Sequence, residues 1–273
     1  MNLATHSSGP MVTRILPALL LLSAVAAAPA AAQGPAVETF ERSVPLASGG
    51  SFAIANVNGS IEIEGWDRNE VQVSARKITT GPAESLREVN ITLDAAPGRV
   101  SVVTRYPEGS GVEVNVEFRV RVPARVRLAS VSTVNGSVSV HDVSGAGSLA
   151  TVNGNVNLER GAGLFSARAT NGNIYLELLS LSGDLAAERG AAELGSLMAQ
   201  TTNGSVVLGL PAAAGAELEA QTHNGDFSSE LPLLARTSSA GRFIRGRVGS
   251  GGPLLQLRTV NGSIRLRISR PLV

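Results

Sequence analysis

Seven times along this chain an Asn-Gly pair is followed by one short polar residue and then an apolar one. The pairs stand at 58–59, 135–136, 153–154, 171–172, 203–204, 224–225 and 261–262. The apolar followers are Ile61, Val138, Val156, Ile174, Val206, Phe227 and Ile264. Stepping back by twos from the corner gives runs such as Leu255-Leu257-Thr259 and Leu197-Ala199-Thr201. Each unit is therefore a short alternating strand, a corner, and a second short alternating strand. A repeat of this kind decides architecture before any single residue does.

Two architectures fit the pattern. Asn-Gly between alternating strands is the strongest short signal for a type I′ hairpin, which would give an antiparallel meander or a sandwich. In a β-solenoid the same pair is a corner, and each repeat stacks about 4.8 Å above the last. The parity of the apolar positions is the same in both. The invariant Asn favours the solenoid, because stacked amides can donate each to the carbonyl of the next. Thr two residues before the corner predicts a second ladder of the same kind.

Residues 33–125 form a β-rich N-terminal portion. It includes an edge strand around Val37, Phe40 and Val44, and a modest helix signal over Ala83 to Val89. Residues 126–273 carry the repeats, continuous with what precedes them. Asn135, Asn153 and Asn171 are 18 residues apart, and the longer later intervals predict insertions that loop out. The last strand, SIRLRIS, is expected at an open edge. Residues 1–32 are expected to be a signal peptide, starting at Met1 or Met11. Arg14 is its positive start, Ile15 to Ala28 its apolar stretch, and Ala30-Ala31-Ala32 the cleavage site before Gln33. No later segment reaches the length of a transmembrane helix. There is no Cys, which excludes a disulfide framework, a thiolate metal site and a Cys nucleophile.

The units TVNGSVSV, TVNGNVNL, TTNGSVVLGLP and TVNGSIRLRI, with FAIANVNGSIEIEGWDRNEVQVSARK upstream and GRVGSGGPLLQLRTVNGSI near the end, resemble a known family. These are the bacterial "putative adhesin" domains of unknown function, also called toast-rack domains. The resemblance spans about Phe40 to Ile268. It implies a single-stranded β-helix in an exported or membrane-tethered envelope protein, in some members linked to envelope stress. It supplies no catalytic motif.

The residues themselves offer little catalysis. His141 and His223 stand beside corners, with Asp142 and Asp226 close in sequence, but strand neighbours face opposite sides. Stacking would bring Asp142 near Glu159, as a polysaccharide lyase or hydrolase on a β-helix would need, so that activity is the alternative reading. No catalytic, cofactor or metal site is assigned. The N-G-S sequons at Asn58, Asn135, Asn203 and Asn261 follow from the repeat rather than from glycosylation.

Charge is unevenly spread. Residues 33–230 hold 14 basic and 22 acidic side chains, while 231–273 hold eight Arg and no acid. The net charge of +1 argues against a nucleic-acid binder. Arg242, Arg245, Arg247, Arg265 and Arg267, with Arg258 and Arg270 nearby, predict a basic end that protects an edge or meets an anionic polymer, lipid headgroups or a protein. The expectation is an exported, all-β, non-catalytic binding or scaffold module.

Overall fold

The computed structural model describes residues 34–107, 109, 111–181, 196–238 and 242–269. The expected signal peptide at 1–32 and Arg270 lie outside the described residues. Alternating segments form strands throughout. The N-terminal portion gives β1 (Ala36–Pro45), β2 (Ser51–Ala55), β3 (Ile61–Trp66), β4 (Glu70–Thr79), β5 (Asn90–Ala96), β6 (Arg99–Arg105) and β7 (Asn115–Pro123). A single helical turn, α1 (Ser85–Glu88), falls inside the weak helix signal. The repeats give β8 (Arg127–Asn135), β9 (Val138–His141), β10 (Ser144–Asn153), β11 (Val156–Asn171), β12 (Ile174–Ser180), β13 (Ser196–Asn203) and β14 (Val206–Leu210). After them come β15 (Ala216–Asn224), β16 (Phe227–Ser229), β17 (Leu233–Ser238), β18 (Phe243–Val248), β19 (Leu254–Asn261) and β20 (Ile264–Ile268).

The Asn-Gly pairs are solenoid corners, not hairpin turns. β8 pairs in parallel with β2 and β10, while β9, on the far side of its corner, pairs in parallel with β3 and β11. A type I′ turn needs positive φ at both central residues. Among the described non-glycine residues only Asp142 and Arg160 have it.

Two walls result. Strands preceding the corners make the first wall, in the order β5-β6-β2-β8-β10-β11-β13-β19-β15-β18-β17. Strands following the corners make the second, in the order β1-β4-β7-β3-β9-β11-β12-β14-β20-β16. β11 belongs to both, its two halves meeting near Arg160, where φ is 52°. The centre of each wall is parallel; the first wall ends in antiparallel pairs on both sides, whereas the second is antiparallel only at its β1-β4-β7 end and stays parallel through β16. The interval between Asn224 and Asn261 is not a simple excursion, since β17 and β18 close the first wall as antiparallel strands.

The final repeat is not at an edge. β19 lies between β13 and β15, and β20 between β14 and β16. The expected open edge at SIRLRIS is thus filled on both sides by hydrogen-bonded neighbours.

Between the walls the inward positions form one thin aliphatic core. Phe52, Ile54, Leu128, Leu149, Leu197 and Leu257 face Ile61, Val138, Leu158, Leu176, Leu208 and Leu266, all at most 1% exposed. Each such burial contributes roughly 1.5–3 kcal/mol. Phe165 fits because Gly147 on the neighbouring strand has no side chain, and a Cβ there would come within 2.8 Å of its ring.

The corners add a polar spine. Asn135 Nδ2 donates to Asn58 Oδ1 at 2.8 Å, and the same bond links Asn153 to Asn135, Asn171 to Asn153, and Asn203 to Asn171 at 2.8–2.9 Å. Every amide points the same way, an arrangement in which neighbouring bonds polarise one another. The threonines do not ladder with each other as expected. Instead Thr151, Thr201 and Thr259 donate to the carbonyls of Gly136, Gly172 and Gly204 at 2.7–2.8 Å. In the first repeat Asn56 takes the Thr position and bonds Val116 O at 2.9 Å.

Candidate functional site

The second wall presents two outward ranks that can be counted from the corners. Four residues past each Asn, in stacking order, stand Glu62, Ser139, Asn157, Tyr175, Val207, Arg265 and Ser228. Six residues past stand Glu64, His141, Glu159, Glu177, Gly209, Arg267 and Glu230. The second rank carries more charge than the first, which has only Glu62 and Arg265, and alternation sends the apolar residues between the ranks into the core.

The residues suspected of catalysis lie here but are engaged elsewhere. His141 Nδ1 is 3.5 Å from Glu159 Oε2. Asp142 and Glu159 meet the same guanidinium, with Arg160 Nη1 4.0 Å from Glu159 Oε2. Arg160 Nε binds Asp142 Oδ1 at 2.6 Å, and its NH2 group binds Oδ2. That bidentate bond holds the Asp142 carboxyl below the ordinary carboxylate range. A glycosidase acid needs the opposite, a carboxyl raised towards neutrality. His223 is exposed at the Asn224 corner, and Asp226 gives its backbone N–H to Ser263 Oγ at 3.3 Å. Among the described residues no three His, Asp or Glu side chains gather as metal ligands do.

The C-terminal arginines do not form one patch. Arg245 and Arg247 lie on β18, on the outside of the first wall. Arg245 pairs with Glu219 and sits 5.8 Å over the Phe243 ring, and Arg247 Nε meets Glu217 Oε1 at 3.0 Å. Arg242 is exposed just ahead of them. Arg265 and Arg267 project from the second wall, and no carboxylate pairs with them among the described residues. Arg242, Arg245 and Arg247 thus stay together, while the corner at Asn261 sends Arg265 and Arg267 to the opposite wall.

Two polar hollows open on the second wall. One, of about 440 Å³, is lined by Glu62, Glu64, Gln72, Ser74, Arg119 and Arg121. Its charges cancel locally, with Arg119 Nε 3.4 Å from Glu62 and Arg121 Nε 3.1 Å from Glu64. The other, of about 370 Å³, lies over Gly209 between Glu177 and Arg267. Tyr175 Oη donates to Glu177 Oε2 there at 2.8 Å. Burial first, then the neighbouring Glu177, pushes the Tyr175 phenol up to about 12, so it stays a donor at ordinary pH. The sequence reading missed this hollow, although counting six from Asn203 reaches the one residue of the rank without a side chain.

The family described as Toastrack DUF4097 matches residues 43–267. Similar solved structures include a "putative cell adhesion protein" from Clostridium sporogenes, at 9% identity over 84% of this chain and 99% of that one, TM-score 0.37. A "putative adhesin" from Bacteroides fragilis matches at 10% identity over 84% and 97%, TM-score 0.41. A "putative lipid binding protein" from Parabacteroides distasonis matches at 8% identity over 84% and 96%, TM-score 0.22. No curated protein matches the sequence. The family match takes in all seven corners and all of both outward ranks, and the chain belongs to the Toastrack family.

Proposed function

We propose that this chain is an exported, non-catalytic, adhesin-like binding module of the cell envelope, which meets a surface polymer along its second wall. The observation that carries this reading is the outward rank running from Glu64 to Glu230. It is a regular row of charged and polar side chains on a rigid stack, and its candidate acid Asp142 is locked by Arg160. Arg14, the apolar run and the A-x-A site support export. Among the described residues no helix is long and apolar enough to cross a membrane.

Of the arginines expected to meet an anionic partner, Arg265 and Arg267 carry that role best. Arg245 and Arg247 have their charge met by Glu219 and Glu217, and Arg242 flanks them on the other wall. Free guanidinium groups draw in anionic groups of a polymer at long range, and salt weakens them because the screening length is about 8 Å at physiological ionic strength.

Fractionation with N-terminal sequencing, followed by co-sedimentation with envelope fractions, tests the proposal. The chain is expected outside the cytoplasm with its N-terminus near Gln33. It is expected to sediment at low salt, and to lose sedimentation at high salt and in Arg265→Ser/Arg267→Ser. A cytoplasmic chain that keeps its first residues, or one that never sediments, overturns the reading. Release of sugar fragments from the polymer would put an enzyme in its place.

A further inference from the structure

The rank six residues past each corner is interrupted once, by Gly209. Glu177, Gly209 and Arg267 are in direct register on β12, β14 and β20. The two side chains therefore flank the gap from strands about 10 Å apart, twice the interstrand spacing. Ser269 closes the floor, since a Cβ on Gly209 would lie 3.1 Å from its Oγ and 3.5 Å from Glu177 Cγ. With Tyr175 and Glu230 these residues enclose the hollow of about 370 Å³. That is within the range of small-ligand sites, roughly 300–1,000 Å³.

Its polar groups are fixed in place without being used up. Tyr175 Oη holds one oxygen of Glu177 at 2.8 Å, and Ile268 N holds Glu230 Oε2 at 3.1 Å. Each carboxylate keeps its second oxygen as an acceptor. Ser269 Oγ is anchored on Leu178 O at 3.1 Å. Arg267 has no carboxylate partner among the described residues, unlike Arg119 and Arg121 in the other hollow. The site therefore wants a small body that offers donors to two carboxylates and acceptors to one guanidinium, beside an aromatic ring.

We propose that the hollow over Gly209 is a subsite for one neutral, hydroxyl-rich sugar unit of a glycan. Adjacent hydroxyls both donate and accept, so they can meet Glu177, Glu230 and Arg267 together. An acidic sugar would face two carboxylates against one guanidinium, and a simple cation would leave Arg267 without an acceptor. This subsite rests on the binding-module reading and assigns Arg267 to a neutral unit of that polymer, leaving its anionic groups to Arg265.

Saturation-transfer NMR of the whole chain with trimers of glucose, N-acetylglucosamine and galacturonate tests it. The neutral trimers are expected to bind. Glu177→Gln, Arg267→Gln and Gly209→Thr are each expected to weaken them at least tenfold while keeping the wild-type melting midpoint. Arg119→Gln, in the other hollow, is expected to leave binding unchanged. If Gly209→Thr does not fold, the two polar variants decide. Neutral trimers that bind all variants alike, that do not bind at all, or that bind more weakly than galacturonate overturn the subsite. The envelope reading would survive each of those outcomes, because sedimentation tests it separately. Trimers that bind as expected in a chain that never sediments support the subsite and overturn the envelope reading instead.

Discussion

Asn261 donates its side-chain amide to Asn203 Oδ1 at 2.8 Å across 58 residues of sequence, and Asn224, which lies between them in the chain, sits beyond Asn261 in the stack. The repeat at Asn261 is thus inserted between two that precede it in the chain. The rung of β15 and β16 therefore has β19 and β20 as its floor.

Removal of residues 254–273 is expected to unfold a rung that is not deleted. Without β19 and β20, the strands β15 and β16 lose their parallel partners, while the rungs from Asn58 to Asn171 keep theirs. Hydrogen exchange should show lost protection over 216–229 and retained protection over 127–176. Uniform loss along the chain would show that the solenoid unfolds only as a whole.

The corner glycines are needed for close approach more than for backbone angle. A Cβ on Gly154 would overlap the carbonyl oxygen of Gly136, whereas one on Gly98, at φ 70°, meets nothing within 4 Å. Gly98→Ala should cost about 1–2 kcal/mol, the left-handed penalty alone. Gly154→Ala should cost about 3 kcal/mol or more, because packed backbone must also move. Urea denaturation of the two variants compares them, and equal costs would remove the close-approach explanation.

One rung has no side-chain donor at the threonine position. Position 169, two before Asn171, is Ala, so Gly154 O misses the bond that Gly136 O receives from Thr151 and Gly172 O from Thr201. Ala169→Thr should stabilise the chain by about 0.5–1.5 kcal/mol, the net value of one hydrogen bond. Thr201→Val should destabilise it by about 0.5–1.5 kcal/mol, by leaving the half-buried Gly172 carbonyl without its donor. Melting midpoints that shift in opposite directions are the expected readout.

Asp142 supplies a pH dependence whose sign is fixed. Its hydrogen bond from Arg160 lowers the folded-state pKa below the unfolded value. Its contribution is therefore present above about pH 4, the unfolded carboxyl range, and is lost as pH falls through the folded pKa. The pair is partly exposed, so the effect should stay under about 1 kcal/mol. Asp142→Asn should remove that increment at neutral pH and flatten the acid limb of the stability curve. An unchanged acid limb would show the pair to be inert.

The sequence by itself determined the rung. Period-two alternation chose strands, Asn-Gly marked corners, and the invariant Asn chose a stack over hairpins, because only a stack lets each amide meet the next. It did not determine how Thr would act. Thr133 and its counterparts were legible as recurrent, but their acceptor is a backbone carbonyl one rung away, which no side-chain pattern displays.

Only the tertiary structure decided the order of the rungs. Parallel pairing offers the same hydrogen bonds between any two repeats, so nothing local ranks Asn224 against Asn261 as the neighbour of Asn203. The choice comes with the antiparallel closure of β18 and β17 on β15, which covers the far side of that strand and leaves the slot beside β13 to β19. The same order separates Arg245 and Arg247 from Arg265 and Arg267, and sets Arg267 against Glu177 across Gly209. The sequence wrote each of those residues into a rank, and only the stacking order made them neighbours.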